Sequence, residues 1–140
     1  MGRADSVAPP GHAHERRWLG AEAGTLGACL DSKISGGNQH TCSILDTAEL
    51  KCWGLNNYGQ LGYDSTDAKG RSAGSMASLA AVYLGANRTA VAVSAGHRHT
   101  CSILDTAELK CWGYNNNGPL GYDSTDRKGD QAGDMASLPA

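Results

Sequence analysis

Four of the five cysteines form two Cys-x9-Cys pairs, Cys42 with Cys52 and Cys101 with Cys111, and a histidine, His40 or His99, stands two residues before each pair. Cysteine and histidine together suit a disulfide, a zinc site or nucleophilic catalysis. Zinc held by His40, Cys42 and Cys52 would need a ligand spacing unlike that of known fingers. Catalysis by histidine needs a nucleophile or carboxylate beside it, and none recurs at a suitable spacing. The two histidines therefore read as hydrogen-bonded structural groups. The cysteines read either as one disulfide per pair or as buried thiols packed like small apolar groups. Cys29 has no repeated partner. Asp64, Asp67, Asp123, Asp126, Asp130 and Asp134 lie in polar loops without the spacing or terminal Glu of an EF-hand, so solvated loop charge is expected. Asn87-Arg88-Thr89 is a glycosylation sequon, meaningful only in a secreted chain. No phosphate-binding glycine loop and no nucleophile elbow occurs. The residues thus point to no catalytic, cofactor-binding or metal-binding set, and to a protein that is not an enzyme.

What must position these pairs is a repeat. Residues 35–79 align without gaps on residues 94–138, with 35 of 45 positions identical. A period of 59 residues fits one supersecondary unit per copy. Within the unit, His40 to Leu45 and Glu49 to Trp53 read as strands around a turn at Asp46-Thr47-Ala48. A three-residue loop there sets Cys42 opposite Cys52 and Ile44 opposite Leu50, all on one side of the ribbon. The last loop position usually requires φ > 0 and favours Gly, yet it holds Ala48. Val91 to Ser94, preceded by Ala90, is a further apolar strand candidate. Gly54, Gly59 and Gly62 punctuate the loop that follows each hairpin, with Asn56 and Asn57 as residues tolerant of left-handed turns.

Composition narrows the function. Twelve basic against fourteen acidic residues leave a formal charge of −2 over 140 residues, which offers no footprint for nucleic acid and no basic face for a membrane. Phe is absent and Gly numbers 19, so the core must come from Leu, Ile, Val, Ala, Cys, Trp and Tyr. No run is long enough to span a bilayer, and Trp18 to Leu30 is too broken by glycine and Glu22 for a secretory core. Met1-Gly2 fits the bare myristoylation pattern, with Arg3 arguing against it. The default compartment is the cytoplasm, while the cysteine pairs hint at an extracellular parent. Residues 1–33 match neither copy and are expected to be a disordered or degenerate segment. Residues 34–92 form the first repeat, and 93–140 a truncated second.

His-Thr-Cys-Ser-Ile-Leu, then Lys-Cys-Trp-Gly, then Asn-x-x-Gly-Gln-Leu-Gly resembles the regulator of chromosome condensation repeat. The positions that carry the resemblance are Gly37, His40, Trp53, Gly54, Asn56, Gly59, Gln60, Leu61 and Gly62. In the second copy they are Gly96, His99, Trp112, Gly113, Asn115, Gly118, Leu120 and Gly121, with Pro119 departing from the pattern. Pro119 removes an amide side chain and a backbone donor, which puts tight closure of the second turn in doubt. The resemblance implies an all-β fold, a partial β-propeller of about two blades, each with four antiparallel strands. It also implies a non-enzymatic fragment that binds an unknown protein partner, in an oligomer or as part of a longer chain. The alternative is part of a guanine-nucleotide exchange factor for a small GTPase, to which no residue here can be matched.

Overall fold

The computed structural model describes residues 33–140. The expectations for the segment before them, including the myristoylation pattern and Cys29, lie outside the described residues.

The described chain is all-β, apart from one 3-10 turn at Met135–Ser137. Strands β1 (Ile34–Gly36), β2 (His40–Ile44) and β3 (Leu50–Gly54) form one antiparallel sheet in that order. Strands β4 (Ala90–Ala95), β5 (His99–Leu104) and β6 (Leu109–Gly113) form the second. Both hairpins have the register that the cysteine spacing suggests: Cys42 faces Cys52, Ile44 faces Leu50, and Cys101 faces Cys111. Among the described residues, no helix is long and apolar enough to cross a membrane.

The hairpin loop closes as a hydrogen-bonded turn ending in a left-handed residue. Leu45 N–H bonds the Glu49 carbonyl, and Ala48 N–H returns to the Leu45 carbonyl, each at 2.9 Å. Ala48 and Ala107 take φ of 64° and 66°, a region where a Cβ is strained. Ala48→Gly and Ala107→Gly should therefore each stabilise the fold by about 0.5–1 kcal/mol. Paired denaturation curves check this, and a loss of stability would argue against the left-handed turn.

The resemblance implied four strands per blade, whereas each described sheet has three. Beyond β3 the chain passes through left-handed residues at Gly62, Asp64 and Gly70, which break an extended path. The outer edge of β3 is satisfied in other ways. Gly54 and Lys69 exchange a single antiparallel bridge, and Val82 N–H bonds the Leu50 carbonyl at 2.7 Å. The Tyr63 hydroxyl accepts the Cys52 N–H at 3.1 Å, and lies 3.0 Å from the Cys52 carbonyl and 2.9 Å from that of Ala80. A side-chain hydroxyl thus does work that a fourth strand would do with its backbone. Tyr122 repeats the arrangement on Cys111 at 2.8 and 2.9 Å. Burial raises the pKa of both phenols, so each keeps the proton it donates.

The core lies between the two sheets. Cys42, Ile44, Leu50 and Cys52 of the first sheet join Val93, Leu104 and Trp112 of the second, with Leu61, Val82, Leu84 and Met135 from the loops. The same sequence therefore buries opposite faces in its two copies. In β2 the buried residues are His40, Cys42 and Ile44; in β5 they are Thr100, Ser102 and Leu104. Ile44 is 6% exposed and its counterpart Ile103 43%, while Leu50 is 1% exposed and Leu109 53%. Strand periodicity specifies two faces, but the neighbouring sheet decides which is covered.

Candidate functional site

Each cysteine pair is a disulfide, Cys42–Cys52 and Cys101–Cys111. The geometry is that of the bridge rather than of packed thiols, and sulfurs bonded in this way offer no thiolate to a zinc ion at His40, Cys42 and Cys52. Among the described residues no three His, Cys, Asp or Glu side chains gather into a metal-sized group.

His40 organises the seam between the sheets instead. Its Nε2 lies 2.9 Å from the Thr100 hydroxyl, which donates its own proton to the Gln60 carbonyl at 2.8 Å. The same carbonyl accepts Trp112 Nε1–H at 3.1 Å. Since Thr100 spends its one proton on Gln60, its oxygen receives a proton from Nε2, which defines the neutral tautomer of His40. Gly37 is required beneath the ring: a Cβ there would collide with the His40 imidazole and the Gly96 carbonyl. Gly59 meets the same condition, with φ of 76° and its open side against Gly129 and Asp130 of the second copy.

Burial first, and the charge of His99 second, hold the His40 imidazole below the ordinary histidine value. Protonation then favours the unfolded chain, which binds the proton more readily. Stability is fully present above about pH 6.5 and falls as pH drops below it, toward the lowered folded pKa. Melting temperatures measured across that window should decline with acid, and His40→Gln should flatten the decline. An unchanged acid slope in His40→Gln would place the titrating group elsewhere.

The remaining motif residues fall at equivalent places in the two sheets. Trp53 and Trp112 occupy equivalent strand positions, but only Trp112 is sealed between sheets. Gly54 and Gly113 carry the bridges to Lys69 and Lys128. The Pro119 turn keeps the backbone closure of the Gln60 turn but not its side-chain bond, since Gln60 Oε1 accepts the Tyr58 N–H at 2.9 Å and proline has no such acceptor. In the second copy Gly118 N–H bonds Asn115 O at 2.9 Å, Gly121 N–H bonds Gly118 O at 3.1 Å, and Leu120 N–H bonds Asn115 Oδ1 at 3.1 Å. The closing donors belong to residues 118, 120 and 121, so proline at 119 costs the turn none of them.

Other residues do more than the sequence reading assigned to them. Asn56 is fully buried and is a staple rather than a left-handed turn residue. Its amide donates to Ser65 O at 2.7 Å and Asp67 O at 3.1 Å, while its oxygen accepts Leu61 N–H at 2.9 Å. Asp64 was expected to be solvated loop charge, yet its carboxylate accepts Gly133 N–H at 3.0 Å and Met135 N–H at 2.9 Å across the seam. Asp134 likewise accepts Gly129 and Gln131 N–H, each at 3.1 Å. Tyr63 and Tyr122, which cap the sheet edges, went unremarked. Their signal was presence at the same offset in both copies.

One cluster departs from the duplicated plan. The Tyr58 and Tyr114 rings meet edge to face at 5.1 Å. The Arg98 guanidinium lies 5.1 Å from the first ring and 5.8 Å from the second, and Arg127 lies 4.9 Å from Tyr58. All four positions differ between copies, with Asn117, Gln39, Leu55 and Ala68 as the counterparts. They sit where β2 and β5 begin and β3 and β6 end, opposite the identical Asp-Thr-Ala hairpin tips.

Two short antiparallel blades packed face to face, each built from the same repeat, define part of a propeller-type repeat protein. The repeat is the regulator of chromosome condensation (RCC1) repeat: its family model matches residues 32–60 and 90–118, and the chain carries two of them. The chain is 33% identical to the ultraviolet-B receptor UVR8 of Arabidopsis thaliana over 97 residues, covering 69% of this chain and 20% of the receptor. Among solved structures it is similar to human WBSCR16, with a TM-score of 0.56 and 19% identity over 69% of this chain and 24% of that one. It is also similar to yeast RCC1 (Prp20), solved with Kap60, with a TM-score of 0.50 and 21% identity over 69% of this chain and 23% of that one. The chain spans about a fifth to a quarter of the length of these relatives.

Proposed function

We propose that this chain is a non-enzymatic protein-interaction module whose contact surface is the end of the blades carrying Tyr58, Arg98, Tyr114 and Arg127. The observation that supports the reading is where the two copies differ. Framework residues are duplicated, while at least seven of the ten differing positions, 38, 39, 55, 58, 60, 68 and 71 with their counterparts, fall in the loops at this one end. Tyrosine and arginine are the residues that most often anchor protein interfaces, because they bring large area and directed hydrogen bonding at small entropic cost. The ring pair with flanking guanidinium groups suits a partner surface that presents carboxylates beside apolar side chains. A fold alone does not select a partner, but the yeast neighbour's structure, with Kap60 bound, is in keeping with a protein as the partner.

The test is quantitative affinity capture with the wild-type chain and with Arg98→Ala/Tyr114→Ala. Because Arg98 and Tyr114 meet Tyr58 across the two copies, denaturation curves and peptide mapping first verify that the variant is folded with both disulfides. Proteins retained by the wild type and depleted on the order of tenfold by the variant support the proposal. An identical captured set from both chains counts against it.

A further inference from the structure

We propose that copies of this chain associate head to tail, the exposed face of the second blade in one copy receiving the exposed face of the first blade in another. The template for this contact is the seam within the chain. On the first copy's side it is formed by Ile44, Leu50, the Gln60 carbonyl and the Asp64 carboxylate. On the second copy's side it is formed by Thr100, Trp112 and the Gly133–Met135 backbone.

Duplication puts each set in the chain twice, once covered and once wholly or partly open, Thr41 and Trp53 being half-buried. The second copy repeats the first set as Ile103, Leu109, the Pro119 carbonyl and Asp123. Ile103 and Leu109 are 43% and 53% exposed, and together with Ala92 and Val93 they line an open apolar depression of about 150 Å³. Glycines tell the same story. A Cβ at Gly59 or Gly62 would collide across the seam, whereas at Gly118 and Gly121 nothing lies within 4 Å. The first copy repeats the second set as Thr41, Trp53 and Met76, and Met76 is 47% exposed where its counterpart Met135 is buried.

The chain thus displays two surfaces that already fit each other, because their equivalents do so inside it. Asp123 keeps the left-handed φ of 52° that Asp64 uses to aim its carboxylate at two backbone donors. The surfaces differ, so the contact is heterologous, and such contacts close into rings or continue as filaments. The intermolecular seam lacks at least two elements: where Tyr58 meets Arg98 and Tyr114 inside the chain, Asn117 would meet Gln39 and Leu55, and Asp134, which holds the Gly129 and Gln131 N–H groups, is Ser75 in the first copy. Association between chains is therefore weaker than the packing within one.

Sedimentation of the purified, oxidised chain at increasing concentration is the experiment, with Met76→Asp and Ile103→Asp as variants. Both side chains are exposed in the single chain, so neither substitution disturbs its core. The wild type should show a mass that rises with concentration above 14.5 kDa. Each variant alone should associate at least about tenfold more weakly. Mixed together they should form a heterodimer that grows no further, since Met76→Asp keeps an intact second-blade face and Ile103→Asp an intact first-blade face. A wild type that stays monomeric at every concentration overturns the proposal, whether a further blade or another part of the chain covers those faces. Association that persists in both variants, or a mixture that fails to complement, overturns it as well.

Discussion

Trp112→Ala should destabilise the folded chain by about 3–5 kcal/mol, while the same change at Trp53 should cost only about 1 kcal/mol. The two residues have identical strand contexts, Leu-Lys-Cys-Trp-Gly, so local propensity cannot distinguish them. Packing does. Trp112 is fully buried in the core and donates its indole N–H to the Gln60 carbonyl at 3.1 Å. Truncation opens a cavity the size of an indole between two sheets whose backbone hydrogen bonds hold them in place. It also leaves the Gln60 carbonyl with only Thr100. Trp53 is only partly buried and loses a smaller area. Against a total stability of about 5–15 kcal/mol for a small domain, the first change removes much of the margin and the second does not. Denaturant titration of both variants, at a concentration where the chain is monomeric, gives the comparison. Equal losses would mean that the second blade is not packed on the first.

Reduction of the disulfides should produce the other large effect. Each bridge joins residues ten apart in sequence and is fixed by register, since Cys42 and Cys52 face each other and the Cys52 backbone groups turn outward to Tyr63. For loops this short, the chain-entropy contribution is about 2–3 kcal/mol per bridge. Non-reducing peptide mapping should recover Cys42 with Cys52 and Cys101 with Cys111, and reduction should lower the denaturation midpoint. Peptides linking Cys42 to Cys101 would contradict the register. A reduced chain as stable as the oxidised one would show that the bridges add nothing to hairpins already held by the core. Removing Cys101–Cys111 should expose less new apolar surface than removing Cys42–Cys52, because Cys101 is only half-buried whereas Cys42 and Cys52 are fully buried.

The hairpins were legible in the residues. A nine-residue spacing between cysteines and a three-residue loop admit one register, and repetition in both copies removed the ambiguity of a single short apolar run. The left-handed Ala48 followed from the same loop. What periodicity cannot express is which face of each strand is covered. His-Thr-Cys-Ser-Ile-Leu occurs twice with opposite burial, a property of neighbours and not of residues. The seam was hidden for a related reason. Asp64 looks like any loop carboxylate until Gly133 and Met135, some seventy residues away, bring their N–H groups to it. The fourth strand failed to appear because one tyrosine hydroxyl and one backbone bridge satisfy the edge of β3, and neither leaves an alternating pattern to read.

Hydrogen exchange at the tryptophan indoles tests most directly whether the two repeats form one packed unit through the His40–Thr100–Gln60–Trp112 chain. In the monomeric, oxidised protein the Trp112 Nε1–H should exchange slowly and show magnetisation transfer to Gln60, while Trp53 Nε1–H exchanges readily. Its protection should fall along with global stability as acid protonates His40. Rapid exchange at Trp112, equal to that at Trp53 and without transfer to the first copy, would contradict the packed pair of blades.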